Sequence, residues 1–156
     1  MPWNRSNIQI AEINQDGTVC SIDNILNQDN VSVIEPRWTY DNSLLYLSDE
    51  SGYWAFNRYK HKLNEKLISI PGLEFGFPPY ILGLRTYCIV PGDGVNIGDI
   101  YAIGYKDNKQ KLMRIIAGKA LLVEEISLHF DYISNILYQN NAIYFTAEKT
   151  SHSPVI

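Results

Sequence analysis

The sequence predicts an all-β fold, a partial β-propeller of about three blades, each a four-stranded antiparallel sheet. Three observations carry that expectation. EPRWTYDNSLLYLSDESGYWAFNRYK, residues 35–60, alternates β-rich runs with tight-turn residues in the order strand, turn, strand, turn, strand. The composition, 46% hydrophobic with 11 tyrosines, favours strands over helices. Finally, YDNSLLYLSDES from Tyr40 returns as YQNNAIYFTAEKTS from Tyr138, which matches Tyr46 with Tyr144, 98 residues on. That interval is two periods of 49, and roughly 40 to 50 residues suit four strands per blade. A closed ring takes roughly four to eight blades, so the chain reads as a segment of a larger propeller.

The elements follow in order. Ile8, Ile10 and Ile13 lie in a short β-like run, Asp16-Gly17 is a strong turn dipeptide, and residues 18–22 resume the strand, so residues 1–26 end one blade in a hairpin. Residues 23–32 are polar and connect it to a blade at 33–70. In that blade Pro36-Arg37-Trp38 lies in a strand, Tyr40-Asp41-Asn42-Ser43 turns, and residues 44–48 form the next strand. Asp49-Glu50-Ser51-Gly52 turns again into residues 53–59, and residues 67–70 make the last strand, stopped by Pro71-Gly72. A third blade, 77–125, takes residues 86–90, 99–105, 111–116 and 120–123 as strands. A fourth, 129–156, opens near His129 and supplies two strands.

With 13 basic against 17 acidic side chains, the net charge of -4 argues against nucleic acid and anionic membranes as partners. The N-terminal segment lacks a basic stretch leading into an apolar one, and no apolar run reaches about 18 residues, so a cytoplasmic location is expected. The sequons at Asn4 and Asn30 then carry no weight. Cys20 and Cys88 stand far apart with no metal-ligand spacing and read as two buried free thiols.

Nothing points to a catalytic residue, metal or cofactor. His61, His129 and His152 are scattered, without a second ligand at a suitable spacing. Gly92-Asp93-Gly94 with Gly98 reads as a turn, since neither a βαβ unit nor Gly-Lys-Ser/Thr follows. Asp93 and Asp99 flank that loop without EF-hand spacing. Glu124 and Glu125 are adjacent and point to opposite faces of a strand. Four residues are candidates for gating or docking a substrate. Asp49 and Glu50 follow a strand where loops turn toward the channel mouth, and Arg37 and Arg85, near strand starts, offer planar forks suited to a peptide carboxylate. Trp38, Tyr46, Trp54, Phe56 and Tyr144 are expected in the core, Trp54 and Phe56 sharing one strand face.

Residues 35–59 resemble the propeller of the prolyl oligopeptidase superfamily, in particular its acylaminoacyl-peptidase and dipeptidyl-peptidase-like branch. There a blade commonly reads P-R-W-S-P-D-G, a strand ending V-S-D, then R-S-G-W-W-N-L-Y. Pro36, Arg37, Trp38, Asp41, Ser48, Asp49, Ser51, Gly52, Trp54, Phe56 and Tyr59 match it. Met1-Pro2-Trp3 ahead of IAEI, Glu74-Phe75-Gly76 followed by Pro79, and Leu84-Arg85-Thr86-Tyr87 extend the likeness over nearly the whole chain. Tyr40, Asn42, Glu50, Tyr53 and Ala55 depart from the pattern.

The resemblance implies a propeller that caps a separate α/β-hydrolase domain with a Ser-Asp-His triad and filters peptide substrates toward it. No Gly-x-Ser-x-Gly occurs, so no nucleophile elbow can be placed in this chain. Met1 aligns with an interior Met of the pattern, which implies a truncated reading frame, a split gene or a mispredicted start. The hydrolase domain is therefore the expected partner, in cis or from a neighbouring frame. The rival readings are a free-standing module whose open sheet edges pair with a second copy, and a sugar- or peptidoglycan-associated periplasmic propeller, against which the missing signal sequence counts.

Overall fold

The structure, a computed structural model, describes residues 5–26, 28–77, 80, 83–92, 97–116 and 122–149, and the backbone of 152–155. It is all-β and forms part of a β-propeller. Strands β1 (Ile8–Ile13) and β2 (Val19–Leu26) make a hairpin. Strands β3 (Val33–Trp38), β4 (Leu44–Ser48), β5 (Ala55–Lys60) and β6 (Leu63–Ile68) form a four-stranded antiparallel sheet in chain order. So do β7 (Tyr87–Val90), β8 (Asp99–Lys106), β9 (Lys109–Ile116) and β10 (Leu122–Ile126). The last sheet holds β11 (Tyr132–Gln139), β12 (Ala142–Lys149) and β13 (His152–Val155), three strands where the sequence predicts two.

Alternation along the strands sends successive side chains to the two neighbouring sheets, which is how sheets stack face to face around a ring. In β4, Leu45 and Leu47 point to the β7–β10 sheet, while Leu44 and Tyr46 point back to the β1–β2 hairpin. In β8, Ile100 and Ala102 meet the β3–β6 sheet, and Tyr101 and Ile103 meet β11–β13. The β3–β6 and β7–β10 sheets share the largest cluster, centred on Phe56, Phe75 and Tyr87. Phe56 lies 4.9 Å from Phe75 and 5.0 Å from Tyr87, the latter edge-on at 86°. Such pairs contribute about 0.5–1.5 kcal/mol beyond the area they bury. Leu73 and Phe75, on the connection between β6 and β7, belong to this core, and Phe75 donates its N–H to the Trp54 carbonyl at 2.9 Å.

Trp54 is 6% exposed and Phe56 and Tyr46 are buried, whereas two expected core residues lie elsewhere. Trp38 is 61% exposed, because it ends β3 between two surface hollows instead of between two sheets. Tyr144 is 43% exposed, and register explains it. Both β3–β4 and β11–β12 carry a bulge, at Glu35 (φ 51°) and Asn135 (φ 53°), beyond which Arg37 pairs with Leu45 and Leu137 with Tyr144. The bulges therefore equate Leu45 with Tyr144 and Tyr46 with Phe145. The sequence match was one residue out, and a one-residue slip exchanges the two faces of a strand.

Three two-residue turns, His61-Lys62, Asp107-Asn108 and Asn140-Asn141, have both residues at positive φ, the type I′ geometry that matches strand twist. The first places the last strand of its sheet from Leu63, earlier than the expected residue 67. Gly98 (φ 90°) approaches the Val90 carbonyl so closely that a Cβ would strike it. The β1–β2 hairpin is buried only near its base, at Ile8 and Ile25; Ile13, Val19 and Ile22 are exposed. Cys20 rides on this outer part and is exposed, unlike the buried thiol expected there.

Candidate functional site

The first strands of the three larger sheets, β3, β7 and β11, all line a cavity of about 280 Å³, with β11 packed along β7. β3 and the turn after it supply Arg37, Trp38 and Tyr40; β7 and its lead-in supply Arg85, Tyr87, Cys88 and Ile89; β11 supplies Ile136, Leu137 and Tyr138. Two of the four gating candidates, Arg37 and Arg85, thus come together although 48 residues separate them in sequence.

Glu35 organises the seam beside them. Its left-handed backbone forms the bulge of β3, and its carboxylate accepts hydrogen bonds from the Thr86 N–H (3.0 Å to Oε2) and hydroxyl (2.7 Å to Oε1). Arg37 Nη2 donates to the same carboxylate at 3.0 Å, and the Arg37 guanidinium lies 4.9 Å from the Tyr87 ring centroid. The Tyr87 hydroxyl bonds the Glu35 carbonyl at 2.6 Å, and burial pushes its pKa far up. Arg85 is held through its carbonyl, which accepts from Ile136 N–H at 3.2 Å. Its side chain is exposed and has no ion pair or hydrogen bond among the described residues. Arg37 Nε is buried without an acceptor. Burial raises the Cys88 thiol to about 11, so it is neutral at pH 7.

Asp49 and Glu50 lie at the other end of the β3–β4 pair, since Ser48 faces Val33 whereas Leu45 faces Arg37. Asp49 Oδ1 accepts the Ser32 N–H at 2.7 Å, its own N–H reaches the Ser32 carbonyl, and its carbonyl accepts from Gly52. Asp49 therefore caps backbone at that turn. Glu50 is exposed beside it.

The motif Asp41 has a comparable structural task. Its Oδ1 accepts from the Thr39 and Ser43 hydroxyls, both at 2.6 Å, and its Oδ2 from Lys60 at 2.6 Å. Burial opposes its charge, but these bonds outweigh burial and hold the carboxyl well below the usual range. Asp99 is bound by Arg114 at 2.6 Å, Glu125 by Lys111 at 2.6 Å, and Glu124 approaches Arg114 at 3.9 Å. Asp93 lies outside the described residues, as do Met1-Pro2-Trp3, Asn4, Pro79 and the His152 side chain. Among the described residues, no three His, Cys, Asp or Glu side chains form a group able to hold a metal ion, and no helix is long and apolar enough to cross a membrane.

Sequence reasoning found the two arginines and missed Glu35, Thr86 and Tyr138. The motif begins at Glu35, but only a fold shows that its carboxylate crosses to Thr86, 51 residues away.

No family model and no curated protein matches the sequence. Solved structures do. A puromycin-hydrolyzing peptidase of Mycobacterium tuberculosis superposes with a TM-score of 0.79 at 18% identity, over 94% of this chain and 22% of that one. A puromycin hydrolase gives 0.80 at 17% identity, over 96% and 22%, and a mutant form of puromycin hydrolase gives 0.82 at 16%, over 99% and 22%. The chain spans about a fifth of the length of these peptidases. Its fold, part of a β-propeller, is that of the region of these peptidases on which it superposes.

Proposed function

We propose that this chain is a propeller fragment of a prolyl-oligopeptidase-type serine peptidase, of the acylaminoacyl- or dipeptidyl-peptidase-like branch, acting in the cytoplasm. It contributes no catalytic residue. It governs which peptides reach an α/β-hydrolase domain joined in cis or encoded beside it. The observation that carries this reading is the superposition of nearly the whole chain on puromycin-hydrolysing peptidases. The conjunction of Arg37 and Arg85 at a cavity between first strands supports a role in substrate selection.

The test assays aminoacyl and acyl-aminoacyl chromogenic peptides with the purified chain and with the chain assembled with its hydrolase domain. The chain is expected to be silent and the assembly active. Turnover by the clean chain overturns the non-catalytic reading, and an inactive assembly overturns the peptidase reading. A second reading, a self-associating module, draws on exposed Ile13, Val19 and Ile22. Light scattering separates the two: a stable silent dimer that recruits no hydrolase favours the module.

A further inference from the structure

The cavity between β3, β7 and β11 carries more positive than negative charge. Glu35 is its neighbouring carboxylate, and that group is already committed to Thr86 and Arg37. Arg37 has five N–H donors, yet one meets Glu35 and Nε, buried, meets nothing. An unmade buried donor is costly, so an arriving anion that re-seats the guanidinium has a gain waiting for it. Arg85 adds a second fork, unengaged by any described residue. The backbone that carries the forks is fixed: the Arg85 carbonyl is tied to Ile136, and Thr86 is tied through Glu35 to Arg37. Cys88, neutral at pH 7, brings no competing charge. Trp38 and Tyr40, both exposed, and Tyr138 provide aromatic wall. The volume is near the lower end for small-ligand clefts, which suits a chain end better than a folded partner.

We infer that this cavity is a carboxylate subsite that takes the free C-terminus of a peptide, gripped by Arg37 and Arg85 with its last side chain against the aromatic wall. Planar forks suit a planar carboxylate in two-point contact. The choice of a peptide as ligand rests on the peptidase reading above; the anion chemistry does not.

The experiment titrates the purified chain with trialanine, trialanine amide and inorganic phosphate, by calorimetry at low salt. Trialanine is expected to bind about tenfold or more tighter than its amide, the scale of one charge-assisted hydrogen bond. Arg85→Gln, at an exposed side chain, should abolish that preference with an unchanged circular dichroism spectrum, and Arg85→Lys should restore part of it. Equal affinity for acid and amide, no binding of either, or a preference untouched by Arg85→Gln overturns the inference. Phosphate binding as tightly as trialanine makes the cavity a plain anion site and overturns the peptide assignment. Should the acid preference hold while the assembled enzyme cleaves no peptide, the subsite stands and the peptidase reading falls.

Discussion

Glu35 shows how one residue is used in two ways at once: its backbone makes the bulge and its carboxylate serves donors on two sheets. Other single residues have narrower roles with measurable weight. Trp54 is 6% exposed within the cluster between the β3–β6 and β7–β10 sheets, so Trp54→Ala should destabilise the chain by about 3–5 kcal/mol in denaturant unfolding. Asp41 has a depressed folded-state pKa, so its contribution is fully present above the unfolded value near pH 4 and is lost as pH falls through the folded one. Asp41→Asn should therefore cost about 2 kcal/mol at neutral pH, the gap to wild type closing progressively in melts below about pH 4. Residue chemistry was partly legible in advance. Trp54 and Phe56 read as core from their spacing, but Trp38 could not be told from them, because exposure at the end of a first strand depends on what the ring places opposite it.

Elements were more legible than their registers. Alternation and turn residues locate β3, β4 and β5, yet the repeat from Tyr46 to Tyr144 slipped by one because it is anchored on Tyr40 and Tyr138, whereas the ladders pair Trp38 with Leu44 and Tyr138 with Ile143 and so make Trp38 the counterpart of Tyr138. The same limit hid the β5–β6 turn. Asn140-Asn141 and Asp107-Asn108 are residue types that tolerate left-handed backbone, as His61 does to a degree, whereas Lys62 adopts it without that preference. Replacing His61 and Lys62 together by Asn and Gly should relieve this and raise stability by about 1 kcal/mol, read as a higher Tm. The opposite change at Gly98, to Ala, sets a side chain against the Val90 carbonyl and should lower Tm.

At the scale of the whole molecule, each sheet packs chiefly on its sequence neighbours, so stability should vary along the chain as it does in repeat proteins. Hydrogen exchange is expected to be slowest in β4, β5 and β8, which flank the largest cluster, and fastest in the outer half of the β1–β2 hairpin, where Ile13, Val19 and Ile22 are exposed. Uniform protection would mean that the sheets unfold as one unit. The architecture itself was visible in the sequence because blade rhythm is local. Its spacing was not, since β3, β7 and β11 open at Val33, Tyr87 and Tyr132, intervals of 54 and 45 in place of an even period.

The longer interval bears on where this chain can be cut or extended. Its surplus lies between β6 and β7, a stretch an engineer would choose for a tag or a split because it is long and its described residues form no named strand. Yet Leu73 and Phe75 from that stretch are core, and Phe75 is fastened to Trp54. The permissive positions are instead the short hairpin tips, such as Asp107-Asn108, where the residues are exposed and outside the core clusters. Loop length, the usual guide to tolerance, points the wrong way in this protein.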